Sequence, residues 1–116
     1  MADTLELLRE NGFDVENALR RVMGKKEYYY KILKKFPDDK SYEKLRSGLA
    51  EGDVRKAFEG AHTLKGISGN AGITPVYAAV QPVVELLRAG SAAGIGPYMD
   101  TLEAAYARAV SIIGDI

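Results

Sequence analysis

The chain has 116 residues, 47% of them hydrophobic and 28% charged, which is enough for one domain with a core of its own. Sixteen basic and sixteen acidic residues cancel, so we expect no nucleic-acid or membrane partner that a global field would attract. With no cysteine and one histidine, a disulfide framework and a thiolate site are excluded, and we expect a cytoplasmic protein without a bound metal.

Helical signals begin at the start of the chain, and alternating β-branched runs typical of strands are missing throughout. Asp3 is an N-cap candidate for a first short helix, which Gly12 ends. Asp14 is the corresponding candidate for a second short helix, which Gly24 ends. A longer helical stretch then covers residues 26–51.

Pro37 interrupts this long stretch, and it should kink or split the helix near Phe36 because proline lacks an N–H and disfavours helix before it. Asp53 is an N-cap candidate for the next helix, which covers residues 54–71.

Thr74, followed by a proline, is the cap candidate for a helix that ends at Gly90. Pro82 lies inside this helix and should cost it an interior hydrogen bond. The last helix covers residues 97–113. We therefore predict a single all-α domain over residues 1–116, an up-and-down antiparallel four-helix bundle with two short N-terminal helices.

His62 is predicted to face solvent midway along its helix. A projection at 100° per residue places small and apolar side chains on the opposite face, which is the predicted core stripe: Ala57, Ala61, Leu64, Ser68 and Ala71. Lys65, Gly66 and Gly69 share the face of the histidine, as does Phe58 one turn before it. Because glycine costs about 1 kcal/mol relative to alanine within a helix, two glycines here indicate an imidazole that a bulky partner must reach.

Phosphoryl transfer is the chemistry that fits this imidazole. A neutral imidazole nitrogen can accept a phosphoryl group and release it, and the compact ammonium of Lys65 suits a phosphate. The chain has neither a nucleotide-binding glycine-rich loop nor a second histidine, a cysteine or a serine elbow to complete a triad. We therefore expect a phosphocarrier that is not an enzyme. The alternative is a surface histidine without a role, and Phe58 could equally be a docking residue or a packing residue at the bundle edge.

The segment H-T-L-K-G-I-S-G-N-A-G, residues 62–72, resembles the histidine-containing phosphotransfer (HPt) domains of multistep two-component signalling, whose pattern is HxLKGxS/AxxxG. The likeness continues upstream to L-A-E-G-D, which ends at Asp53. It implies that His62 is phosphorylated by an aspartyl-phosphate receiver domain and passes the group to another, with Lys65 near the phosphoryl group and Gly66 giving access. It also implies response-regulator receivers and a hybrid sensor kinase as partners, with Mg²⁺ on the receiver and no cofactor on this chain.

One part of the family pattern differs. HPt domains often carry a Leu-Glu or Leu-Gln pair where this chain has Val83 and Val84, with Glu85 one residue later and Pro82 directly before. Either Pro82 introduces a bulge that returns Glu85 to the position of the family's polar residue, or another side chain, such as Gln81, orients the imidazole.

Other functions stay open at this point. A phosphorylatable input domain of a chemotaxis-type kinase shares the bundle and the histidine, but it belongs to a longer chain, and an end at Ile116 favours a stand-alone carrier. A helical adaptor or dimerisation bundle would leave His62 incidental. An HPt-like domain that has lost phosphotransfer is disfavoured by the intact His62 and Lys65.

Overall fold

The computed structural model describes residues 3–116, and every regular element in that range is helical. The helices are α1 (Thr4–Glu10), α2 (Val15–Arg21), α3 (Lys26–Lys35), α4 (Ser41–Glu51), α5 (Val54–Asn70), α6 (Thr74–Arg88) and α7 (Gly96–Gly114). The predicted all-α class is confirmed. None of the described helices is both long enough and apolar enough to cross a bilayer.

The helix ends follow from local chemistry. Aspartate carboxylates cap three helix starts by accepting backbone N–H bonds: Asp3 from Leu5 at 3.3 Å, Asp14 from Asn17 at 3.2 Å, and Asp53 from Lys56 at 3.0 Å. Gly52 ends α4 with a φ of 71°, a left-handed conformation that glycine adopts without strain. As a result only two residues separate the end of α4 from the start of α5.

Pro37 splits the long helical stretch where the sequence predicts. α3 ends directly before Phe36, and a single 3₁₀ turn, Phe36–Asp38, separates it from α4. Asp39 then accepts hydrogen bonds from the backbone N–H of Ser41, at 2.8 Å, and from its hydroxyl. α4 therefore begins as a separate helix, with Lys40 at its N-cap and Asp39 bound to its first residue.

Two details of α6 differ from expectation. Thr74 is the first helical residue and Ile73 the N-cap, so the predicted threonine cap is wrong. The threonine hydroxyl donates instead to the carbonyl of Gly72, at 3.5 Å. α6 runs through Pro82 as continuous α-helix, so no bulge returns Glu85 to the position of the family's polar residue. Buried valines on both sides of the proline hold this helix against its neighbours, which offsets the missing hydrogen bond.

α4 and α5 approach each other closely because glycines lie at their contact. A Cβ built on Gly60 would lie 2.5 Å from the backbone nitrogen of Leu45 and 2.7 Å from the carbonyl oxygen of Ser41. Gly48 of α4 faces the backbone of Ala57 in the same way. This contact fixes which face of α5 is buried, and the opposite face is left to solvent.

Aromatic side chains join the remaining helices to this pair. The ring of Tyr106 on α7 stacks on Tyr42 of α4, with centroids 4.0 Å apart, and lies 5.3 Å from Phe36. The buried hydroxyl of Tyr29 on α3 donates to the carbonyl of Ala71 at 2.9 Å. Burial raises the pKa of Tyr29 above its ordinary value, so the phenol stays neutral and remains a donor. These contacts tie α3, α4 and α7 around the end of α5.

Candidate functional site

α5 buries one face and exposes the other, as its sequence pattern predicts. All members of the predicted core stripe are buried: Ala57, Ala61, Leu64, Ser68 and Ala71. The buried hydroxyl of Ser68 donates to the carbonyl of Leu64 at 2.8 Å, so this polar group is satisfied within the helix. His62 is exposed on the opposite side of the helix. The imidazole is thus held by a rigid helix while its ring stays accessible.

An open groove borders the imidazole, and three helices form it. We call it the His62 groove; its walls include His62, Lys65, Gly66 and Gly69 of α5, Asn17 and Arg21 of α2, and Tyr77 of α6. The sequence placed the α5 residues together through helical periodicity. The walls from α2 and α6 were not predicted, because a helical pattern does not say which neighbour stands beside which face.

The two glycines in this groove have different surroundings. A Cβ on Gly66 would meet no atom within 4 Å, so the surface there is open, as expected. A Cβ on Gly69 would lie 3.1 and 3.2 Å from Cδ2 and Cε2 of Tyr77. Gly69 therefore makes room for a ring of the protein itself, which differs from the open surface expected at both glycines. A role of either glycine in partner binding stays a prediction.

Phe58 lies beside the imidazole and also packs against the core. It is half-buried, and its ring centroid is 5.7 Å from that of His62. The guanidinium of Arg88 lies over the ring of Phe58, 5.2 Å from the ring centroid. Glu85 pairs with the same arginine at 3.5 Å. Phe58 thus links the imidazole to a charged pair on α6, and neither of its two predicted roles is excluded.

Lys65 reaches across the groove towards α6. Its side chain is half-buried, and its Nζ lies 5.9 Å from the centroid of the Tyr77 ring. Helical spacing puts this lysine one turn after His62 on the same face. An anion bound at the imidazole would therefore meet a cation on its own side of α5.

A family model named Hpt domain matches residues 39–112, well over half of the chain. This chain belongs to the Hpt family. Hpt domains are phosphocarrier modules of two-component phosphorelays rather than classical enzymes; they work through a phosphohistidine and interact with response-regulator receiver domains. Comparisons with curated proteins and with solved structures found no match.

The Hpt match begins just before α4 and ends within α7, and α5 with its histidine lies in the first half of the matched range. The helices α1, α2 and α3 precede it. Since α2 supplies one wall of the His62 groove, part of the surface beside the histidine comes from outside the matched segment.

The two candidates for orienting the Hpt imidazole lie differently on α6. Tyr77 packs on the C-terminal half of α5 and Arg88 on its N-terminal half, so the two helices are antiparallel. Gln81 is one turn beyond Tyr77 and exposed, and it is not among the residues that line the His62 groove. Glu85 lies a further turn along, where it meets Arg88.

Within residues 3–116, no group of three or more histidine, aspartate or glutamate side chains could hold a metal ion.

Proposed function

We propose that this Hpt domain is a phosphorelay intermediate in which His62 accepts a phosphoryl group from an aspartyl-phosphate receiver and passes it to another receiver. The observation that supports this most is the chain's only histidine, exposed midway along α5 with Lys65 and open surface at Gly66 in one groove. In the forward step a nitrogen lone pair forms the P–N bond. The P–O bond breaks, and its electron pair leaves with the aspartate carboxylate.

Lys65 is proposed to act by electrostatics. The phosphoryl oxygens carry negative charge throughout the transfer, and an ammonium on the same helix face stabilises that charge on the histidine. Gly66 is proposed to let the receiver approach, because no side chain projects there and a Cβ would point into open space. Gly69 and Phe58 flank this approach and complete the proposed docking surface.

Gln81 is proposed as the side chain that orients the imidazole. Its support is that it is an exposed amide on α6, one turn beyond the groove residue Tyr77. Glu85, the second candidate, already pairs with Arg88 and would have to give up that partner to reach the ring. An amide that accepts from one imidazole nitrogen fixes the tautomer and leaves the other nitrogen free to react.

The contacts between the helices support a more specific description of the fold. We infer that α4 to α7 form an up-and-down antiparallel four-helix bundle, preceded by the short helices α1 and α2, with α3 packed against α7. In support, α4 packs on α5, α5 on α6 and α6 on α7 in chain order, and the Tyr42–Tyr106 stack joins α4 to α7. We further propose a cytoplasmic location, a hybrid sensor kinase upstream, and Mg²⁺ on the receiver only.

Phosphorylation by receivers tests the proposal directly. The wild-type protein is incubated with phosphorylated receiver domains, and label that is acid-labile but base-stable is scored on the chain. His62→Gln should keep the helical circular dichroism and lose all label; residual label of this kind on the variant would overturn the assignment. Incubation with ATP and a kinase domain, in place of a receiver, separates a chemotaxis-type input domain from a carrier. No label from either source would favour the adaptor.

The role of Lys65 needs a separate measurement. Loss of a charge-assisted hydrogen bond worth about 1–3 kcal/mol predicts that Lys65→Ala slows transfer roughly 5- to 150-fold. Lys65→Arg keeps the charge and serves as the matched control. Unchanged rates in both directions for Lys65→Ala, with the fold intact, would show that this lysine is only a solvated charge.

A further inference from the structure

The ring of Tyr77 touches two members of the His62 groove. One side of the ring packs at Gly69, where even a methyl group would lie 3.1–3.2 Å from ring carbons. The ammonium of Lys65 lies over the ring, with Nζ 5.9 Å from its centroid. Tyr77 therefore stands between the helix backbone at Gly69 and the cation beside His62.

These contacts restrict both partners. The ring fits against a stretch of α5 that has no side chain at Gly69, which limits how far it can turn. A lysine side chain otherwise samples many rotamers, and an aromatic face attracts its ammonium electrostatically. The ring thus provides a fixed surface on which the ammonium of Lys65 can rest at the edge of the groove.

We propose that Tyr77 is a positioning residue for phosphoryl transfer, whose ring face holds the ammonium of Lys65 beside His62. The inference rests on the proposed phosphocarrier function and adds a residue to it. The ring face, not the phenol hydroxyl, makes the contact with Lys65. Tyrosine and phenylalanine should therefore serve equally well at this position, whereas an aliphatic side chain should not.

The test is a double-mutant cycle on transfer rate. Single-turnover transfer from a phosphorylated receiver is measured for wild type, Tyr77→Phe and Tyr77→Leu, and again for each with Lys65→Met. A cation–π contact at a partly exposed site predicts a loss of about two- to five-fold for Tyr77→Leu. Tyr77→Phe should match wild type, and Tyr77→Leu should change nothing further once Lys65 is methionine.

Gly69→Ala is an independent probe of the same contact. The added methyl presses on the ring, so transfer should slow, and the decrease should be smaller when Lys65 is replaced by methionine. Melting temperatures of all variants confirm that rates are compared between folded proteins. This comparison leaves Tyr77 in place, so it decides the question even where Tyr77→Leu does not fold; an equal decrease with Lys65 and with methionine at that position would overturn the inference.

Three results of the double-mutant cycle would also overturn the inference. In the first, Tyr77→Leu slows transfer equally whether residue 65 is lysine or methionine. In the second, Tyr77→Phe slows transfer as much as Tyr77→Leu does. In the third, Tyr77→Leu transfers at the wild-type rate. Failure of the proposed function has a different signature, because wild type itself would then take no label from any receiver.

Discussion

Replacing Gly60 by alanine should weaken the contact between α4 and α5. The new Cβ would lie 2.5 Å from the backbone nitrogen of Leu45 and 2.7 Å from the carbonyl oxygen of Ser41, whereas ordinary contact begins at 3.4 Å. Backbone atoms cannot rotate away, so the helices must separate by about 1 Å. Overpacking of this kind costs about 3 kcal/mol at the upper end of its usual range. Alanine's higher helix propensity offsets about 1 kcal/mol of this cost, so the free energy of unfolding should fall by roughly 2 kcal/mol.

Gly66→Ala is the matched control on the same helix. No atom lies within 4 Å of the Cβ position, so the substitution keeps only the propensity term and should add about 1 kcal/mol. Urea denaturation followed by circular dichroism measures both free energies of unfolding, and a change of 1 kcal/mol should also shift Tm by roughly 4 °C. The reasoning is refuted if Gly60→Ala is as stable as wild type, or if Gly66→Ala is less stable.

Three further predictions address pH, docking and capping. Because burial raises the pKa of Tyr29 in the folded state, its contribution to stability is complete below about pH 10 and is lost as the pH rises further. Tyr29→Phe should lower the free energy of unfolding by about 1 kcal/mol at neutral pH, and this free energy should then fall less steeply at alkaline pH than in wild type. Urea denaturation measures both, and identical slopes against pH would contradict the prediction. Phe58→Ala should lower receiver affinity with little dependence on moderate salt, whereas a large fall in Tm at unchanged affinity would make Phe58 a packing residue only. Asp53→Ala should lower the free energy of unfolding by about 1 kcal/mol, and Asp53→Asn should lower it much less. Equal decreases would argue against the cap, in which the Asp53 side chain accepts from the backbone N–H of Lys56.

The parts of the fold that depend on neighbouring residues could be predicted from the sequence. The aspartate caps, the break at Pro37 and the buried stripe of α5 each follow from residues within one or two turns. The exposed position of His62 follows in the same way, since it lies opposite that stripe. The cap of α6 was missed by one residue, because proline fits either of the first two helical positions and thus does not fix the start.

Contacts between helices could not be predicted in this way. Gly69 and Gly66 have the same pattern in the sequence, but only Gly69 faces a ring, and that depends on the register between α5 and α6. The same register decides that Arg88 of α6 lies over the ring of Phe58. A helical projection describes one helix at a time, so it placed Lys65, Gly66 and Gly69 on the face of His62 but not the residues that other helices bring to that face.

The order in which the helices pack has a consequence for how the chain folds. α4, α5 and α6 each pack on the next helix along the chain, so most of the core forms between segments that are close in sequence. Closing short connections costs little entropy, and chains of this topology fold in microseconds to milliseconds. The bond from Tyr29 to Ala71 spans 42 residues, and the stack of Tyr42 on Tyr106 spans more. We expect those contacts to form after the rate-limiting step, so that Tyr29→Phe accelerates unfolding and leaves the refolding rate almost unchanged in a stopped-flow experiment.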